Sequence, residues 1–401
     1  MDGLPNELLK LIVDEVPVGA DLGTVQALNS TFCALATPRV FQTFQVSNTL
    51  ARTQAFENIL LGSAVIPHIQ EIVFRDIFSD ADGNTMQDWP SVEMETVCYD
   101  REIRLSLFFC FSLLHTLPAL KTLSLFFLPY FGEELYEEDD QPSAAFRFQL
   151  AVLDALTYFP LLSPTSLTIT GFIAYHNPIF DTRGFRALFE GLTYLRVAVV
   201  SDWTYRGGYA LDHLVEFWET TVQQRILEPR PALTQSLTAL TLHSDQAVGV
   251  VPALDWSHLA FPRLARLTLM KIVFDEDTRS AEDFLRKCRS VVHDRRAGPA
   301  HVWAQVWGRL AAEMRVLTTL VVVHADRWGH TSWYVALVEG CAYLSFQEDP
   351  VRDEPDTRAL AALNALLEER RAAAAGVDKS AWGAVGRVRG HAGRLGGYDE
   401  V

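Results

Sequence analysis

One pattern restricts the fold of this chain more than any other. A short apolar figure of shape L-x-x-L-x-L returns as HIQEIVF, ALKTLSL, PTSLTI, LTYLRV, LTALTL, LARLTL and LTTLVV. Its second apolar position falls at Ile72, Leu123, Leu167, Leu195, Leu240, Leu267 and Leu320. Each figure reads as a short strand, because residues one apart face opposite sides and the two residues of L-x-L then share a face. Some intervals lie within the ~20–29-residue period of strand-and-helix repeats, and the longer ones leave room for a longer helix or a decayed second repeat. Helix-like segments lie between the strands: AFRFQLAVLDALTYF, FRALFEGL, DHLVEFWETTVQQRIL and SAEDFLRKC. Strand, helix, strand at this rhythm predicts an α/β chain, a parallel sheet with helices on its outside.

The same alternation picks out a second set of residues. Between the inward pair of each strand lies a residue facing the opposite side: Val73, Ser124, Thr168, Arg196, Thr241, Thr268 and Val321. Small and β-branched types dominate, which suits an open pleated surface. Seven strands at ~4.8 Å span about 30 Å, the scale of a protein partner. Ser124, Thr168, Arg196, Thr241 and Thr268 are therefore candidate target-binding residues. Trp203 and Tyr205, in the SDWTYRGGY segment, join them because aromatic side chains anchor interfaces.

The start of the chain poses a different problem. LPNELLKLIVDEV places Leu4, Leu8, Leu9, Ile12, Val13 and Val16 at the spacing of one helical face. Asp2, Glu7, Lys10, Asp14 and Glu15 interrupt the apolar positions, which does not fit a secretory signal. Pro5 suits the first helical position and Pro17 ends the helix. Asp21 is placed to cap a second helix carrying Leu22, Val25 and Leu28, and Phe32, Leu35 and Phe41 continue the apolar spacing. About 45 residues in three short helices bury too little surface to stand alone, so this module needs something to pack on.

Composition removes several functional classes. Asp and Glu number 50 against 34 Lys and Arg, a net charge of −16, and nucleic-acid affinity rests on the opposite balance. No nucleic-acid partner is expected. The five cysteines are dispersed and form no C-x-x-C, which fits a reducing compartment, cytoplasmic or nuclear. LSLFFCFSLL is too short for the ~20 residues of a bilayer span, so no membrane association is expected. No phosphate-binding loop, nucleophile elbow or H-E-x-x-H occurs. His324, Asp326 and His330 follow a strand without a further ligand nearby, and Cys288 and His293 fall on an expected helix with no oxyanion donors. The chain reads as a non-enzyme with no catalytic residue, no metal and no cofactor.

The N-terminal residues resemble the F-box motif. Leu4, Pro5, Glu7, Leu8, Leu9 and Ile12 match its L-P-x-E-[IL]-L-x-x-I opening, Asp21-Leu22 its D-L step, and Leu28-Asn29-Ser30 with Phe32, Leu35, Ala36 and Phe41 its helical pair. Thr31 stands where many members carry a basic residue. The resemblance covers about a tenth of the chain, and the repeated strand figure is similar to the irregular leucine-rich repeats that often follow an F-box. It implies a division into 1–46, an F-box-like module; 47–350, a leucine-rich-repeat-like α/β solenoid; 351–376, a C-terminal helix; and 377–401, a disordered Gly/Arg tail. It also implies the substrate-recognition subunit of a Skp–cullin–F-box ubiquitin ligase, in the Ubl conjugation pathway. Leu4, Pro5, Leu8, Leu9, Ile12 and Leu22 would dock on the Skp adaptor, and through it on the cullin-RING ligase, while the solenoid holds an unidentified protein substrate. The alternative is a protein-interaction scaffold with no ligase role.

Overall fold

Strands that bury one face and solvate the other pair in whichever register keeps every inward side chain inward. In this chain that register carries through nine successive strands, with shifts between Thr170 and Phe172 and between His243 and Val248. The computed structural model describes residues 4–17, 20–76, 101–128, 144–159, 164–201, 211–248, 252–255, 259, 261–264 and 266–272, the strands 290–294, 319–323, 334–337 and 344–347, and parts of a helix within 358–372.

Three helices open the chain: α1 (Asn6–Glu15), α2 (Ala20–Gln26) and α3 (Ser30–Val40). Strand β1 (Thr43–Ser47) and helix α4 (Leu50–Leu60) lead to β2 (Glu71–Arg75). There follow α5 (Arg101–Ser112), β3 (Thr122–Phe126), α6 (Ala144–Tyr158), β4 (Ser166–Ile173), the short α7 (Arg183–Ala187) and β5 (Tyr194–Val200). Helix α8 (Leu211–Glu216) continues as a π-helical stretch over Phe217–Ile226, and α9 (Pro231–Ser236) precedes β6 (Ala239–Val248). The sheet ends with β7 (Arg266–Ile272), β8 (Ser290–Asp294) and β9 (Thr319–Val323). A separate antiparallel pair joins β10 (Tyr334–Leu337) to β11 (Leu344–Gln347).

The first nine strands form one sheet in strict chain order, every neighbouring pair parallel. The expected α/β class with a parallel sheet is what the chain adopts. The predicted apolar positions become literal neighbours, Ile72 opposite Leu123, then Leu167, Leu195, Leu240 and Leu267. Two strands lie outside the repeated figure. β1 presents Phe44 opposite Ile72, and β8 presents Val291 between Leu267 and Leu320. The long interval before Leu320 is thus two shorter steps. His293, expected on a helix, lies in β8 because Ser290–Asp294 pairs with both neighbours; Cys288 lies outside the described residues.

Threonines tie the strand entrances together. The hydroxyl of Thr193 donates to the Thr165 carbonyl and that of Thr238 to the Thr193 carbonyl, each at 2.9 Å. Each of those carbonyls also accepts two backbone N–H groups from the next strand. This explains the threonine of L-T-x-L in physical terms: it satisfies a carbonyl at the sheet's edge.

One face of the sheet packs on helices. Ile72, Phe74, Leu123, Leu125, Ile169, Val197, Leu242 and Leu269 join Leu107, Phe111, Phe148, Val152 and Trp218 in one continuous core. Leu363, from the helical segment within 358–372, is fully buried in the same core. The π-helical stretch seats Phe217, whose ring meets Phe172 edge-on at 4.9 Å.

At Gly171 the backbone of β4 bulges, and pairing with β5 shifts between Thr170 and Phe172. Gly171 has φ +67°, and a Cβ there would lie 2.2 Å from the Phe127 carbonyl oxygen. Gln149 of α6, 1 % exposed, holds the bulge: its amide donates to the Gly171 carbonyl at 2.9 Å, and its carbonyl accepts the Ile173 N–H at 3.1 Å.

Burial also sets the chemistry of one thiol. Cys110 lies in the core, and desolvation, reinforced by the negative charge of Glu57, pushes its pKa up to about 12. The thiolate is the reactive species. Iodoacetamide at pH 8 followed by peptide mapping is therefore expected to modify exposed Cys33 and leave Cys110 untouched in the folded protein.

Candidate functional site

The N-terminal helices build their own small core, distinct from that of the sheet. Leu9 and Val13 of α1, Leu22 of α2, and Phe32 and Ala36 of α3 are buried together, with Val16, Val25, Leu35 and Val40 packed around them. α3 begins with a side-chain cap, Asn29 accepting the Phe32 N–H at 3.0 Å. Arg39 of α3 donates to the Val13 and Val16 carbonyls, closing the C-terminal end of α1. Gln26 bonds the Thr37 hydroxyl at 2.9 Å and fixes α2 against α3.

Fixing α1 by Leu9 and Val13 leaves another apolar side uncovered. Leu4, Leu8, Leu11 and Ile12 are 44, 45, 60 and 48 % exposed. At 100° per residue Leu8, Leu11 and Ile12 of α1 fall within an arc of about 100°, so those three make one stripe, with Leu4 exposed two residues before the helix starts. Leu28, between α2 and α3, is also 60 % exposed. Leaving four such side chains half in water forgoes about 3–6 kcal/mol of burial.

The six N-terminal residues predicted to dock therefore divide. Leu4, Pro5, Leu8 and Ile12 are on the surface. Leu9 and Leu22 are not available to a partner: at 6 % and 0 % exposure they hold the three helices together. Pro5 caps α1 rather than opening it, its carbonyl accepting the N–H groups of Leu8 and Leu9. Asp21 lies inside the first turn of α2, where its charge suits the helix dipole. Leu11 was missed because the motif match stopped at positions the motif names; a helical wheel would have found it.

The sheet positions also have places. Val73, Ser124, Thr168, Arg196, Thr241 and Thr268 form one unbroken row of cross-strand neighbours. Ser124, Thr168 and Thr241 keep only 8, 8 and 9 % exposure, since neighbours ~4.8 Å away on both sides close over short side chains. Arg196 and Thr268 are half-buried. Parallel to this row runs another carrying Arg75, Phe126 and His243, with the Arg75 guanidinium 4.7 Å above the Phe126 ring. Trp203 and Tyr205 lie outside the described residues, as do His324, Asp326 and His330, the acidic segment 130–142, the SAEDFLRKC helix and the tail 377–401.

Neither a family model nor a curated protein matches this chain. What the molecule offers a partner has to be read from its own surfaces.

One cluster looks chemical at first sight. The His176 ring meets the Thr221 hydroxyl at 3.0 Å and Asp181 at 3.4 Å, and Asp181 takes Arg225 at 2.7 Å. Hydroxyl, imidazole and carboxylate stand in the order of a nucleophilic triad. Thr221, however, has 0 % exposure within the helix, so no substrate reaches its oxygen. The cluster is a brace between the segment after β4 and the π-helical stretch. The hydrogen bond from Arg225, then its charge, holds the Asp181 carboxyl below the usual carboxylate range. Asp181 therefore stabilises the fold fully above its unfolded pKa near ~4 and loses that contribution as pH falls through its lowered folded value. Asp181→Asn is expected to lower the urea midpoint slightly at pH 7, with the gap to wild type closing as pH falls through the lowered folded value of Asp181. Among the described residues no group of His, Cys, Asp and Glu is placed to hold a metal, and no helix is long and apolar enough to cross a membrane.

Proposed function

We propose that this chain is the substrate-recognition subunit of a Skp–cullin–F-box ubiquitin ligase working in the cytoplasm or nucleus. α1–α3 would be its F-box-like module, and the sheet with its helices a leucine-rich-repeat-like solenoid. The observation that carries the reading is the stripe of Leu8, Leu11 and Ile12, with exposed Leu4 just ahead of it, left bare on a helix whose other side is already anchored by Leu9 and Val13. Exposed contiguous apolar surface on an otherwise satisfied module marks a protein interface. The positional match of Leu4, Pro5, Glu7, Leu8 and Ile12 to the F-box opening supports the Skp adaptor as its occupant.

The mechanism is then one of placement. The stripe docks on the adaptor, the sheet face holds a protein target, and the target's lysines gain effective concentration near the ubiquitin-charged enzyme. No residue of this chain takes part in bond making, and no cofactor is required. Mixing the purified chain with a Skp adaptor and resolving the mixture by size exclusion tests the reading. Co-elution as a 1:1 complex is expected. Separate elution at micromolar concentrations leaves the scaffold reading in its place.

A further inference from the structure

Charge on the sheet's outward face runs against the charge of the chain. The outward side chains of β1–β7 form three aligned rows, beginning at Thr43, Gln45 and Ser47. Their charged members among the described residues are Arg75, Arg196 and Arg266, opposed by Glu71 alone, in a chain of net charge −16. Glu71 is already engaged by the Thr43 hydroxyl at 2.8 Å. The carboxylates bordering this face are engaged as well. Asp76 accepts from Asn48 at 2.6 Å, and Asp245 accepts the Ser201 N–H and hydroxyl at 2.9 and 2.8 Å.

Arg186 and Arg230, on the helical side, share a buried unpaired Nε with Arg196, but their terminal nitrogens donate to backbone carbonyls. Arg196 makes no hydrogen bond among the described residues, and its Nε is buried without a partner between the hydroxyl-bearing Thr168 and Thr241. With its Nε closed off, half-buried Arg196 keeps its terminal nitrogens for an anion arriving from solution. Arg75 is pinned over Phe126, which directs it along the sheet face.

Building on the substrate-recognition reading, we infer that this face binds an acidic protein segment laid in extended form across the strands. Arg75 and Arg196 stand three strands and two residues apart, and Arg196 and Arg266 two strands and two residues, roughly 16 and 12 Å. An extended segment advances about 3.3 Å per residue and keeps every second side chain on one face, so carboxylates about every fourth residue reach the arginines. The acidic remainder of the molecule repels such a segment elsewhere and leaves this face as its landing place.

Fluorescence anisotropy on the full chain tests this with a fluorescein-labelled synthetic peptide carrying glutamates at that spacing between serines and alanines. The Glu peptide is expected to bind at least tenfold more tightly than its Gln counterpart, with affinity falling as salt rises. Arg196→Gln and Arg75→Gln are each expected to weaken it severalfold, and the two together at least tenfold, with the thermal midpoint and co-elution with the Skp adaptor unchanged. Arg75 is exposed, so its variant reports on the site even where Arg196→Gln lowers stability. No binding of the Glu peptide, equal binding of the Gln peptide, indifference to the arginine changes, or equal affinity for a single-stranded oligonucleotide of the same charge overturns the inference. Adaptor co-elution is read separately, so either reading can fail without the other.

Discussion

Leu8→Asp, and equally Ile12→Asp, is expected to abolish retention of a Skp adaptor while leaving the chain folded. Both side chains are about half exposed in the free protein, so a carboxylate there is solvated and the fold loses little. In a complex the same position is dry. Losing the leucine forgoes about 1.5–3 kcal/mol, and burying an unpaired charge costs several more. Together these exceed the ~2.7 kcal/mol of a hundredfold change in affinity. Leu9→Asp should also lose the adaptor, but by a different route. Leu9 belongs to the core shared with Val13, Leu22, Phe32 and Ala36, so the charge would unfold the module. Limited proteolysis separates the two: the first 46 residues stay protected in Leu8→Asp and are cut in Leu9→Asp. Adaptor retained by both Leu8→Asp and Ile12→Asp would remove the stripe from the interface.

The second large effect is on stability. Gly171→Ala asks an L-residue to hold φ +67° and places its Cβ against a backbone carbonyl that cannot move aside. The left-handed conformation alone costs about 1–2 kcal/mol. Displacing Phe127, itself on the inner face of the sheet, brings the total to about 3–5 kcal/mol. Gln149→Leu attacks the same bulge through its hydrogen bonds. The Gly171 carbonyl and the Ile173 N–H would both be stranded in the core, at about 1–3 kcal/mol each. Urea denaturation monitored by tryptophan fluorescence should show both midpoints well below that of wild type. Each acts through one bulge, so the double variant should cost less than the sum of the singles. A midpoint within experimental error of wild type for Gly171→Ala would mean that the bulge is absent in solution.

The sheet was legible in the sequence because alternation leaves a mark wherever leucine fills both inward positions. β3, β6 and β7 carry that mark, β5 comes close to it through Leu195 and Val197, and their register follows from it. β1 and β8 do not, since Phe44 with Val46 in one, and Val291 with His293 at the same register positions in the other, are pairs that composition does not advertise. The bulge at Gly171 was invisible for another reason. It depends on Phe127 and Gln149, which reach Gly171 only through the fold. The same limit governs the N-terminal module. Periodicity shows that α1 is amphipathic, but which apolar residues face inward is settled by α2 and α3, and so Leu9 and Leu22 cannot be told from Leu8 and Ile12 in advance. On the sheet face, the single row between the inward leucines was readable, whereas Arg75, Phe126 and Arg266 belong to the rows beside it and emerge only once the strands are aligned.

Because each of the first nine strands lies beside the one made just before it, no segment has to wait for a distant mate. Synthesis can add the protein to itself one layer at a time as the chain leaves the ribosome, each fresh strand meeting an edge already in place. During translation each newest strand is then the growing edge of the sheet, and a stalled chain would be a shorter version of the same object.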